Sequence, residues 1–257
     1  MRKLVAKTLL LICLSTVVSL GQRRTEPEKK STLDDSKYFG YGVTTNTHSG
    51  ILGGLVFRSS TPISERNNLP VHRYIALELV NVKHPKEFQR ANIAGKYIPG
   101  KTNYLFVVRP EYGREWYFFK KNGDSSVGLS GILAVGPSLG IEKPYYIKYG
   151  RTNVESQVVT QYNPDVHTDL SQITGSASIW QGFLNNAGFN PGFHIKAATS
   201  IDMSTFGDQI TGFELGTTVE LFTKEPEIIA SKISSNPRAF VSAYLTLYFG
   251  SKKLKKK

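Results

Sequence analysis

Cysteine is nearly missing from this 257-residue chain: Cys13 is the only one. It lies in an N-terminal segment expected to be removed, so the mature chain would have none. That excludes a disulfide framework, a thiol nucleophile and a cysteine-ligated zinc site. Long apolar runs are missing as well. After Leu20 no stretch approaches the roughly 18–20 residues a membrane-spanning helix needs. None of the five histidines falls in a nucleophile-elbow or zinc-protease motif. A basic face is also lacking, although the formal charge is +12 with 32 Lys and Arg against 20 Asp and Glu. Three of the cations (Arg2, Lys3, Lys7) belong to the N-terminal segment. Five more (Lys252, Lys253, Lys255, Lys256, Lys257) form the tail, which leaves 24 against 20 between them. Nucleic acid, which needs clustered basic surface, is therefore excluded as a partner.

Arg2, Lys3 and Lys7 precede the apolar stretch from Thr8 to Leu20, and Ser19-Leu20-Gly21 places small residues at the cleavage positions. This is a secretory signal peptide over residues 1–21, with Gln22 as the new N-terminus. Bulky Ile12 stands before Cys13 and argues against a lipoprotein box. Residues 22–37 are polar, aperiodic and read as a flexible periplasmic lead.

From Tyr38 onward the chain alternates with period two. Near the end, Ala239, Val241, Ala243, Leu245, Leu247 and Phe249 alternate with Ser242, Tyr244, Thr246 and Tyr248. Such a strand keeps one face in an apolar medium and the other in a polar one. Leu245, Leu247, Tyr248 and Phe249 mark it as the closing strand of a barrel, with an aromatic residue near its end. Eight candidate strands emerge, at 38–47, 50–60, 70–82, 102–119, 126–140, 191–203, 209–223 and 237–250. The fourth holds Pro110, which cannot donate to a ladder; if the strand breaks there, the count becomes ten. The long connections (83–101, 141–190, 224–236) all fall on the odd side, with the short one near residue 48, while the even ones (61–69, 120–125, 204–208) are all short. Outer-membrane barrels show this parity, with short periplasmic turns and long outer loops. The fold expected is all-β: an eight-stranded antiparallel outer-membrane β-barrel over residues 38–250, up-and-down. Its long outer loop is 141–190, residues 251–257 form a Lys-rich tail, and both termini are periplasmic.

In the third, fifth, sixth and seventh candidate strands the charges and small residues share one face. Ile75, Leu77 and Leu79 alternate with Tyr74, Ala76 and Glu78, while Phe213, Leu215, Val219 and Leu221 oppose Gly212, Glu214, Gly216 and Glu220. Arg58, Glu78, Arg109, Glu111, Lys196, Glu214 and Glu220 are accordingly placed in the lumen. An eight-stranded barrel is just wide enough for side chains to fill, so these charges read as a packed ion-pair network, the alternative being a charge-lined solute path. Asp165, His167 and Asp169 alternate in the long loop, but they lack the further ligands a metal site needs; no metal and no cofactor is expected. The 169–185 stretch is given a short helix capped by Asp169. Ile179, Trp180, Phe183 and Leu184 would then form an apolar face that contacts a partner, lies on the rim or plugs the mouth. His84 and His167, in the long outer loops, are the only histidines that suit a rim-located enzyme.

Several phrases carry a resemblance: Val80–Glu87 (VNVKHPKE), Asn103–Glu115 (NYLFVVRPEYGRE), Gly136–Ile147 (GPSLGIEKPYYI), Thr211–Gly216 (TGFELG) and Tyr244–Gly250 (YLTLYFG). Over nearly the whole mature chain, Tyr38 to Lys253, the sequence resembles a family of uncharacterised small outer-membrane β-barrel proteins from the Bacteroidetes. The resemblance implies an integral barrel in a Gram-negative envelope, partnered by the lipid bilayer, and carries no catalytic residue. The function expected is non-enzymatic: a structural or accessory subunit of an outer-membrane assembly, secretion or surface complex. A narrow solute channel and a rim-located lipid-modifying enzyme are the alternatives.

Overall fold

The computed structural model describes residues 37–92, 95–119, 127–150, 157–182, 186–203 and 209–253. The strands in chain order begin with β1 (Lys37–Asn46), β2 (Gly50–Arg66), β3 (Leu69–Val82), β4 (Arg90–Asn92) and β5 (Gly95–Tyr97). There follow β6 (Asn103–Phe119), β7 (Gly128–Pro144), β8 (Tyr146–Tyr149), β9 (Val158–Gln161) and β10 (Ile173–Ser176). The last are β11 (Gly188–Asp202), β12 (Gln209–Phe222) and β13 (Ala239–Lys253). Eight of these close a barrel in the order β1-β13-β12-β11-β7-β6-β3-β2, each pairing antiparallel with its neighbour. Closure leaves no open edge whose backbone groups would face lipid unpaired.

The register fixes the shape. A row of paired residues runs from Tyr38 through Ser60, Tyr74, Gly113, Ala134, Lys196 and Thr218 to Ser242. The neighbouring Ala243 accepts from the Thr47 N–H at 3.0 Å, so the row meets the chain again at His48, two residues past the end of β1 and ten residues above its start. A shear of that size tilts eight strands by about 40° from the axis. At that tilt about ten residues per strand cover the ~25 Å apolar band of an outer-membrane barrel.

Alternation then sorts the side chains. Outward-facing Phe39, Tyr41, Leu55, Leu77, Leu133, Ile195, Leu215, Leu245 and Phe249 are all exposed, while inward-facing Arg58, Glu78, Lys196, Glu214 and Tyr248 are buried. Water would penalise an apolar belt of this extent; hydrocarbon does not. The chain folds as a transmembrane β-barrel. On the closing strand Leu245, Leu247 and Phe249 face outward, and Tyr248 points into the lumen.

Two departures concern single elements. Ten strands are ruled out, because β6 is one strand of 17 residues. Pro110 faces outward and still pairs with Leu77 of β3. Its missing N–H falls on the β7 side, where the ladder skips between Val108↔Leu139 and Tyr112↔Val135 without a change of register. The expected helix over 169–185 is also absent from the described part of that stretch. A single 3₁₀ turn, Leu170–Gln172, is followed at once by β10.

One rim holds both chain ends of the barrel and short turns. Asn67 and Asn68 both adopt left-handed φ (53° and 62°), the backbone of a two-residue type I′ hairpin. The other rim is capped. The β4–β5 hairpin packs on β10, itself part of a three-stranded sheet in the order β10-β8-β9. Tyr97, Tyr145, Ile147, Tyr162 and Ile173 form the core of this cap. The expected signal peptide, residues 22–36 and the last four tail residues lie outside the described residues.

Placing a charge on the outer face tests the band directly. Leu245→Arg, midway along β13, is expected to cost roughly 2–4 kcal/mol of unfolding free energy in lipid vesicles, read by urea titration. No loss would mean that this face does not meet hydrocarbon.

Candidate functional site

All seven charges assigned to the lumen from sequence are buried there. They stack in tiers along the axis. Nearest the rim that carries the chain ends, the Arg58 guanidinium donates to Glu115 Oε1 and to Glu214 Oε2, both at 3.1 Å. Its carbon lies 4.5 Å from the Tyr248 ring and 5.2 Å from the Tyr74 ring, an arrangement that favours a desolvated cation. In the middle, Lys196 Nζ lies 3.0 Å from a Glu111 oxygen and 3.4 Å from Glu214 Oε1. The Tyr244 hydroxyl donates to Glu214. Above it, Arg109 grips Glu220 with two bonds of 2.8 and 2.7 Å and donates to Glu78 at 3.0 Å. Bidentate Arg–carboxylate pairs fix both distance and plane.

Sequence reasoning missed Glu115, although it keeps the parity of Arg109 and Glu111 on β6. The Pro110 irregularity obscured that parity. It also missed two matching relays. Ser60 donates to Glu115 Oε2 at 2.6 Å, and His72 Nδ1 lies 3.1 Å from the same hydroxyl. Ser138 donates to Glu220 Oε1 at 2.6 Å, with His194 Nδ1 at 3.0 Å. A hydroxyl has one proton to give, so in both relays the ring nitrogen is the donor. A serine nucleophile would instead hand its proton to histidine, and these serines are buried among charges. Both serines serve the carboxylates of the ion-pair tiers.

The lumen is filled. Gly212 leaves room for the Tyr248 ring, with which a Cβ would collide, and a Cβ at Gly136 would collide with the Pro110 carbonyl of β6. A cavity of about 30 Å³ beside Arg58, Glu115 and Tyr248 has room for a water molecule. Toward the capped rim the charges give way to an apolar layer of Val80, Val82, Leu105, Val107, Phe222 and Phe240, closed by Ile228 from the β12–β13 connection. Asn236 holds that connection, accepting from the Ile228 and Ile229 N–H groups and donating to the Ile229 carbonyl at 2.7 Å. Lys101 forms an isolated backbone bridge with Ile229 of that connection and pairs its ammonium with Glu87 at 2.8 Å. Burial pulls the Lys101 ammonium below the ordinary lysine range, and Glu87 opposes that shift.

The loop candidates do not converge. Asp165 pairs with Lys232 at 2.7 Å. His167 turns its Nδ1 to the Asn163 backbone at 3.0 Å and packs between Tyr149 and Tyr162. Asp169 caps the 3₁₀ turn, and its hydrogen bonds from the Ser171 hydroxyl and Gln172 hold its carboxyl below the usual range. Among the described residues no cluster could hold a metal ion. His84 accepts from the Lys86 N–H and bonds the Ser235 carbonyl, so it braces a loop. Ile179 and Trp180 do not plug the mouth: Ile228 does. They hang instead over the outer wall near Leu55, Leu79 and Phe106. Phe183 and Leu184 lie outside the described residues.

No protein-family model and no curated protein matches the sequence. Among solved structures the chain is similar to Neisserial surface protein A (NspA), with 8% identity over 85% of this chain and 96% of that one, at a TM-score of 0.37. It is also similar to Ail, the attachment invasion locus protein of Yersinia pestis, solved in complex with the heparin analogue sucrose octasulfate. There the identity is 9% over 85% and 97% of the two chains, at a TM-score of 0.34. Both are outer-membrane β-barrel proteins. At this similarity neither carries any inference about role, and the barrel here stands on its own register.

Removing one partner from a buried pair strands the other. Arg58→Met leaves Glu115 without its cation and Glu214 with Lys196 alone, and is expected to cost about 3–5 kcal/mol. Adding Glu115→Gln and Glu214→Gln is expected to restore most of it. Denaturant unfolding in vesicles decides; a single substitution that costs nothing would mean the tier is not a coupled unit.

Proposed function

We propose that this is a non-enzymatic, non-conducting outer-membrane protein that serves as a structural or accessory subunit of an envelope assembly, secretion or surface complex. The observation that carries the reading is the contrast between the two ends of the barrel. The lumen is closed by paired charge and by the apolar layer under Ile228, so the protein has no path to offer a solute. The capped rim, by contrast, is built from three connections, two of which share a hydrophobic core of their own. A fold that seals its interior and elaborates one rim presents surface to a partner. The parity of long and short connections supports placing the cap outside the cell and both termini in the periplasm. The kinship with Bacteroidetes barrels belongs to this reading too.

A narrow channel is the weaker reading because the bidentate Arg109–Glu220 pair and the other paired charges occupy the lumen. A rim-located lipid enzyme is weaker because His84 and His167 are each committed to backbone contacts. Two measurements test the proposal. Purified protein in planar bilayers is expected to show no stable conductance steps; reproducible steps would overturn the sealed-lumen part. Extraction from native outer membranes in mild detergent is expected to yield co-eluting proteins at fixed stoichiometry, and a lone monomer would overturn the subunit part.

A further inference from the structure

The outer wall carries a groove near the capped rim, of about 590 Å³, within the size range of small-molecule sites. Leu55, Leu79, Phe106 and Val108 form its sides, the bare backbone of Gly53 part of its floor, and Trp180 overhangs it. One lining residue does not fit an apolar wall. Asn81 sits on the outward parity of β3, two residues beyond Leu79 and opposite Phe106 of β6. Its Oδ1 is buried and has no hydrogen-bond partner. A polar atom in such a place calls for an explanation, and in an apolar groove water has too few partners to supply one.

We propose that this groove binds one acyl chain of a membrane lipid, the chain bearing an amide or hydroxyl near its head-group end that bonds Asn81. The inference rests on the barrel standing in a bilayer. There the groove is continuous with the lipid-facing band through Leu55 and Leu79, so hydrocarbon is what meets it. Asn81 lies toward the capped rim, where head-group linkages begin. Its amide offers an acceptor and donors, matching a linkage that itself both donates and accepts. Trp180 overhangs the upper part, as an indole does at a membrane–water interface.

The chain has two tryptophans, Trp116 near the opposite rim and Trp180 at the groove, so quenching by brominated acyl chains can be read at each. Full-length Trp116→Phe protein in nanodiscs of unlabelled ester phospholipid is titrated with a brominated lipid carrying an N-linked 3-hydroxyacyl chain. A parallel titration uses a brominated ester phospholipid of equal chain length. Trp180 quenching by the first lipid is expected to saturate, at a mole fraction about fivefold below the second, the factor one net hydrogen bond supplies. Asn81→Leu is expected to erase that difference, and Val108→Phe, which fills the groove, to erase saturation altogether. Quenching linear in mole fraction for both lipids, a preference for the ester lipid, or a preference that Asn81→Leu leaves intact would overturn the proposal. The companion Trp180→Phe protein separates the two failures. If Trp116 is not quenched by either lipid, the barrel is not in the bilayer; if Trp116 and Trp180 both report bulk lipid, the groove alone fails.

Discussion

Eight strands enclose a space just wide enough for side chains to fill, and whatever points inward must find its partners inside. The rest of this molecule follows from that limit. Hydrocarbon meets one face of every strand, and the buried charges lie on the other, where no water column can solvate them. The tiers answer with three cations, Arg58, Arg109 and Lys196, set among five carboxylates, Glu78, Glu111, Glu115, Glu214 and Glu220. Glu214 ties two tiers together by touching both Arg58 and Lys196. Serines donate to Glu115 and Glu220, and His72 and His194 back two of those serines. A network of this kind costs desolvation and is weak evidence for stability; what it secures here is register. A one-residue slip would turn every charge into lipid.

The barrel was legible because its code is local. Period-two alternation and punctuating turns place eight strands where they lie, the largest miss being the end of β2, six residues beyond the expected 60, and parity alone puts Arg58, Arg109 and Glu220 on the lumen face of their strands. What parity cannot convey is distance around the barrel. That Arg58 on β2 reaches Glu214 on β12 depends on closure and shear. Glu115 escaped because Pro110 suggested a break; the strand survives there because its pairing to β3 is uninterrupted.

The cap was much less legible. Its strands β8, β9 and β10 run four residues each, too short for a period to show, and they are held by the aromatic contacts of Tyr145 and Tyr162. Apolar residues at 170, 173, 179 and 180 mimic helical spacing, yet they go to three destinations: a 3₁₀ turn, the cap core and the outer wall. The mouth is closed by Ile228, in a connection whose sequence offers no period.

The central claim is that the lumen is a sealed, packed interior. Thr246 faces it from β13 and is 2% exposed. With Cys13 replaced by serine, the most direct measurement is the rate at which Thr246→Cys in lipid-embedded protein reacts with a small membrane-impermeant maleimide, against Asn67→Cys in the β2–β3 turn. The turn cysteine is expected to label in the folded state and the lumen cysteine only after unfolding. Labelling of both at similar rates would mean an open, watered lumen and would contradict the account.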